Sequence, residues 1–229
     1  MGFIYQKKFK VQHEWPHIFY MLSLLIAIIF MTPGRSGYLA LIVLSIYFCY
    51  RTIIYKKNYW VALFVCLLIP SLFLNSSIVK DRVNLGVNEI SNVSAAYEKE
   101  TSMGSRIIAW KNAIELIKKH PLLGVGTGGY EPAFVDHVKD QKGQENFLHH
   151  DPHNQFLKIF AELGIVGLLI FLSFLGSALF QRTTPFYFDL SLGVLLAWCG
   201  TSLFSSHFST FTEGRFIYLW LGVLLAYKK

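Results

Sequence analysis

Six apolar runs, at approximately residues 17–32, 38–54, 59–75, 155–180, 185–206 and 215–227, are interrupted by one long hydrophilic segment, 78–154. That alternation leaves few folds open. A hydrocarbon core of about 30 Å needs about 20 mostly apolar residues per helical crossing. The chain is 53% hydrophobic and 15% charged, which suits several such crossings. The expectation is an all-α integral membrane protein of about six transmembrane helices. Residues 1–77 supply about three, 155–229 about three more, and 78–154 form a long extracytoplasmic loop containing an amphipathic helix. No small-residue cleavage site follows the first apolar run, so that run is expected to stay in the membrane and not to leave as a signal peptide.

Orientation follows from short-loop cations, which are retained on the cytoplasmic side. Lys7, Lys8 and Lys10, then Arg51, Lys56 and Lys57, then Arg182, then Lys228 and Lys229 fall on one side of six alternating helices. Both termini are therefore expected in the cytoplasm. The long segment carries nine Lys and Arg against ten Asp and Glu, so the net charge of +7 resides on the helix flanks. That distribution argues against a nucleic-acid partner and leaves the bilayer as the first partner. Cys49, Cys66 and Cys199 all sit in apolar runs, which indicates small core residues and no disulfide framework.

Several polar features stand at the outer membrane edge. Arg35, in MTPGRSGYLALIVL, is flanked by Gly34 and Gly37, which permit a tight backbone approach. It reads either as a headgroup anchor or as part of a site. Arg215, two residues from Glu213, is explained by a local ion pair or a headgroup contact. In SRIIAWKNAIELIKKH, Ile107, Trp110, Ala113, Ile114 and Ile117 share one helical face. Ser105 suits the N-cap, Lys118, Lys119 and His120 suit the C-terminal dipole, and Pro121 stops the helix. Arg106 then falls in the first turn, where free N–H groups favour an anion. The stretch 78–101 before it shows no period and reads as irregular or loosely helical.

Gly124-Val-Gly126-Thr-Gly128-Gly129 matches a dinucleotide fingerprint only formally, because a helix and a proline precede it where a buried strand is required. It reads as a loop that allows close approach to a ligand or to another helix, with Tyr130 at its end free either to stack on a sugar or to pack. His149, His150, Asp151 and His153 form the densest ionisable cluster. Two chemistries compete for it. A zinc site closed by Asp136 or His137 would use imidazole and carboxylate ligands, although the spacing fits no regular ligand pattern. A general base would use a neutral imidazole at physiological pH. His153 stands where the loop meets the membrane helix, and Asn154 suits that helix's N-cap.

Arg35 in TPGRSGYLALIV, Arg106 in SRIIAWKNAIELIKKHPLLGVGTGGY and His153 in HDPHNQFLKIFAELGIVGLLIFL together resemble the O-antigen ligase and O-antigen polymerase superfamily. The resemblance runs from about Met31 to the C-terminus and covers the C-terminal half of the family fold, whose members have about twice as many membrane helices. Gly34 stands where a serine often precedes the first arginine. The family implies a glycosyltransferase of the bacterial inner membrane. It moves a glycan from an undecaprenyl-pyrophosphate carrier to an acceptor hydroxyl in the periplasm, without metal or nucleotide sugar. On that resemblance Arg35 and Arg106 bind the donor pyrophosphate and His153 deprotonates the acceptor; the neighbouring Tyr130, His150 and Asn154 are the candidate supporting residues. The acceptor would be a glycan or a lipid A-core type molecule, and a separate membrane partner would supply the N-terminal half. The competing readings are a non-catalytic component that binds the lipid-linked glycan without transfer, and a metal-dependent membrane hydrolase.

Overall fold

The computed structural model describes residues 35–91, 102–139, 151–181 and 185–226. The first apolar run and the positions of His149, His150 and Arg182 lie outside these. The described residues are helical, with no strand among them. The elements are α1 (Arg35–Lys56), α2 (Tyr59–Asn75), α3 (Ser77–Ser91), α4 (Ser102–Lys119), α5 (Tyr130–Val138), α6 (Gln155–Ser177), α7 (Pro185–Thr201) and α8 (Phe211–Ala226). Short 3-10 turns follow α6 and precede α8.

Among the described residues, 36–54 and 155–180 are long and apolar enough to cross a membrane. The bent pair α2 and α3 adds a third if it counts as one span. α7 and α8 are apolar but shorter, at 17 and 16 residues. Their exposed Leu, Ile and Phe side chains, like those of α1 and α6, match a lipid environment and not water.

Where the apolar runs end is decided by hydrogen bonds that hydropathy does not report. The run expected over 185–206 is helical only to Thr201, because the following turn is committed elsewhere: the Ser202 and Leu203 carbonyls accept from Gln155 and Asn154. The last helix begins at Phe211 and not near Arg215. Glu213 pairs with His207 at 2.6 Å, and among the described residues Arg215, read as either an ion-pair or a headgroup residue, lies over the Phe211 ring at 3.4 Å and forms no ion pair with Glu213.

Of the two readings left open for 78–101, irregular or loosely helical, the helical one is realised as far as Ser91; 92–101 lie outside the described residues. The Asn, Gly and β-branched residues of this stretch are weak helix formers, which is why the sequence shows no period there, but local capping and packing override them. Ser76 is extended, and its N–H still bonds back to Leu72 and Phe73. Its hydroxyl accepts the Val79 N–H at 3.3 Å, so one residue ends α2 and caps α3 across a bend of 79°. Val79 then buries against Tyr38 of α1. At the other end the buried Glu89 carboxylate accepts the Met103 N–H at 3.1 Å, capping α4. α4 therefore starts at Ser102, Ser105 is not its N-cap, and Arg106 lies one turn inside.

The buried face of α4 also differs from the expected one. Ile108, Ala109, Asn112, Ala113, Leu116 and Ile117 are buried, whereas Ile114 is exposed. Ala113, Leu116 and Ile117 of that stripe pack with Tyr130, Phe134 and Val138 of α5 and Ala161 of α6 in one core. A second core joins Leu175 of α6 to Leu195 of α7, Phe208, and Ile217 and Leu221 of α8. Far along α1 from the site, Arg51 forms an ion pair with Asp189 of α7, whose other oxygen accepts the Tyr47 hydroxyl at 3.2 Å.

Candidate functional site

The loop entering α6 is held by its own side chains. Asp151 is the hub. Its Oδ1 accepts the His153 N–H at 2.7 Å and the Ser206 hydroxyl at 2.6 Å, and its Oδ2 accepts Lys158 Nζ at 2.7 Å. Pro152 is fully buried. Asn154 caps α6 as its sequence position suggested, accepting the Phe156 and Leu157 N–H groups at 3.0 and 3.1 Å. Its amide also donates to Leu203, while the buried Gln155 exchanges two bonds with Ser209. Residues 151–155 are thus laced to the turn between α7 and α8.

Inside this lacing His153 adopts φ 51°, in the left-handed region that side chains rarely enter. Such conformations cost about 1–3 kcal/mol and concentrate at functional sites. Burial holds the imidazole below the ordinary histidine pKa. The Asp151 carboxylate pushes it up, and the Arg106 and Lys158 charges push it further down. The neutral form of the ring therefore predominates at pH 7.

Arg106 connects this loop to a cavity of about 350 Å³. Its charge reaches His153, and its side chain lines the cavity together with Arg82 of α3, Ser36 and Tyr38 of α1, and Phe204. Apart from the arginines the walls are largely apolar. Phe204 belongs to the same α7 to α8 turn that braces His153, and it packs on Trp110 of α4 at 5.7 Å between ring centroids. Arg35 begins α1, one residue before Ser36, so its backbone stands at the cavity edge.

The glycine loop turns out to serve helix packing. Val125 and Gly126 donate to the Ala161 and Glu162 carbonyls at 2.9 and 2.8 Å, and Ile165 donates back to Pro121 at 2.9 Å. These bonds require α6 to open at Gly164, which has φ 65°. A Cβ on Gly124 would stand 2.4 Å from the Glu162 backbone, and one on Gly164 2.1 Å from the Leu122 carbonyl oxygen. Of the two approaches left open by the sequence, the one to another helix is realised. Tyr130 likewise packs: it is 1% exposed, and its hydroxyl donates to the Ala109 carbonyl at 3.3 Å, so no ring face is offered to a sugar.

The two residues considered for closing a zinc site are otherwise engaged. His137 meets Glu115 at 2.7 Å and Lys119 Nζ at 3.0 Å, and Asp136 pairs with Lys139. An ammonium against the imidazole opposes a cation there. His150 lies outside the described residues. Arg82 is a cavity residue that sequence reasoning missed, because its helix carries no period to mark it.

The family described as O-antigen ligase matches residues 20–172. The chain belongs to the O-antigen ligase family. The matched stretch takes in Arg35, Arg106, His153 and both halves of the glycine-loop junction with α6. It begins before Met31 and runs into α6. An uncharacterized protein of Haemophilus influenzae is 28% identical over 171 residues, covering 71% of this chain. The chain spans about 40% of the length of that relative. Family membership and the apolar helices together make this a membrane protein.

Proposed function

We propose that this O-antigen ligase family chain transfers a glycan from an undecaprenyl-pyrophosphate carrier to an acceptor hydroxyl during surface-polysaccharide assembly. The observation that carries the reading is the position of Arg106, whose charge reaches both an apolar cavity and a neutral, strained His153. The cavity suits a lipid carrier, and the guanidinium suits its diphosphate.

In the reaction His153 accepts the proton of the acceptor hydroxyl, and the oxygen attacks the anomeric carbon. The glycosidic bond to the diphosphate breaks on the opposite face, and its electron pair leaves with the diphosphate. Arg106 and Arg35 offset the negative charge that grows there, in surroundings partly shielded from water. Asp151 stabilises the imidazolium that forms. The configuration inverts in this single displacement. The carrier supplies the leaving group, so the chemistry needs neither nucleotide nor metal. The site would face the periplasm of a multi-pass inner-membrane protein of about six spans. The acceptor would be a lipid A-core type molecule or a growing glycan.

The test is transfer of glycan from undecaprenyl pyrophosphate in liposomes containing the chain and EDTA, comparing wild type with His153→Ala and Arg106→Ala. Transfer by wild type, lost in both variants, is expected. A component that binds the lipid-linked glycan in the cavity without transferring it is the second reading. Carrier binding with no transfer by folded wild type would favour that one.

A further inference from the structure

We infer that Arg82 is a specificity residue of the lipid cavity, pairing with Arg106 to select a polyprenyl diphosphate over a polyprenyl monophosphate. The inference deepens the transferase reading and rests on it for the identity of the lipid.

Arg82 sits on α3, which is fixed at both ends. Ser76 caps its start, Val79 packs against Tyr38, and Glu89 near its end caps α4. The last contact joins α3 directly to the helix bearing Arg106. Two arginines on two mutually braced helices therefore line one cavity of about 350 Å³, within the usual range of small-ligand sites, roughly 300–1,000 Å³. The rest of the lining includes Tyr38, Leu39, Ile42 and Val83, which match an isoprenoid chain.

Arg82 is partly buried, and among the described residues it forms no ion pair. A partly buried guanidinium against apolar walls is costly unless an anion meets it. A single phosphate is satisfied by one planar, bidentate guanidinium, whereas a diphosphate presents two groups and a larger charge. Arg82 and Arg106 from two separate helices, with Arg35 at the cavity edge, suit the second ligand. Its neighbour Lys80 is exposed, does not line the cavity, and is the natural control.

The experiment is equilibrium binding of undecaprenyl diphosphate and undecaprenyl monophosphate, neither carrying sugar, to the full chain in phosphatidylcholine nanodiscs. Wild type, Arg82→Ala, Arg82→Lys and Lys80→Ala are compared, each checked for an unchanged melting temperature. Wild type and Lys80→Ala should prefer the diphosphate. Arg82→Ala should weaken diphosphate binding by about tenfold or more, the scale of one charge-assisted contact, and leave monophosphate binding nearly unchanged. Arg82→Lys, which keeps the charge but loses the fork, should recover part of the preference. If Arg82→Ala melts early, Arg82→Lys alone decides: a preference equal to wild type overturns the assignment. So does Arg82→Ala that binds both lipids like wild type, or phosphatidylglycerol that displaces the diphosphate at equal concentration. A diphosphate preference lost with Arg82 in a chain that transfers no glycan would sink the transferase reading while leaving this one standing.

Discussion

Asp151 Oδ1 accepts the backbone N–H of His153 at 2.7 Å, and the same oxygen takes the Ser206 hydroxyl from the turn between α7 and α8. One carboxylate thus joins the loop before α6 to a turn about fifty residues later and holds His153 at a positive φ. Its second oxygen is occupied by Lys158, so both oxygens of the hub are engaged in bracing the loop.

The pH dependence of transfer should reveal the electrostatics of this arrangement. Burial and the Arg106 and Lys158 charges lower the His153 pKa from 6.5, and Asp151 opposes them. A base works only when unprotonated, so kcat/KM should be flat near pH 7 and fall as pH drops through a value below 6.5. Lys158→Gln removes a charge that lowers the pKa and should move the acid limb to higher pH. Asp151→Asn removes the charge that raises it and should move the limb to lower pH. Profiles of kcat/KM against pH, normalised to each plateau, check the direction, and a shared limb in all three proteins would contradict it.

Replacement of His153 by glycine should separate stability from activity. Glycine enters the left-handed region freely and keeps the N–H that Asp151 accepts. Relief of about 1–2 kcal/mol of backbone strain is set against roughly 0.5–1 kcal/mol of extra chain entropy. The melting temperature of His153→Gly in detergent should equal or exceed that of wild type, while transfer is lost. A clear fall in melting temperature would mean that the imidazole is chiefly a packing group.

The glycines should differ sharply from one another. Gly164→Ala combines a positive φ with a Cβ 2.1 Å from the Leu122 carbonyl oxygen, and both obstacles are backbone. It should cost roughly 3 kcal/mol or more, from strain and overpacking together. Gly128 has φ 72° but open space around its Cβ position. Gly128→Ala should therefore cost only about 1–2 kcal/mol. Thermal unfolding of the two variants in the same detergent measures the gap, and equal losses would show that the loop does not dock on α6 in this way.

The apolar character of the helices, the stop of α4 before Pro121 and the capping of α6 by Asn154 are all legible in the order of residues along the chain, because each depends on neighbours within one or two turns. Hydropathy, turn residues and caps act at that range. Arg106 and His153 stand out for the same reason, through motifs local to each. Their nearness does not, since 47 positions separate them and the path between them runs through α5 and a segment outside the described residues.

Relations between distant segments needed the folded chain. α3 is helical because Ser76, Tyr38 and Glu89 hold it, not because its own residues favour helix. That is also why nothing along the chain marks Arg82 as a neighbour of Arg106. Gly124 and Gly164 are small because two backbones meet there, and Tyr130 is buried because α4 and α5 close over it. A pattern along the chain states which residues want to leave water. Which surface each one meets is fixed by packing and by the hydrogen bonds left to satisfy, and these are settled only when remote segments come together.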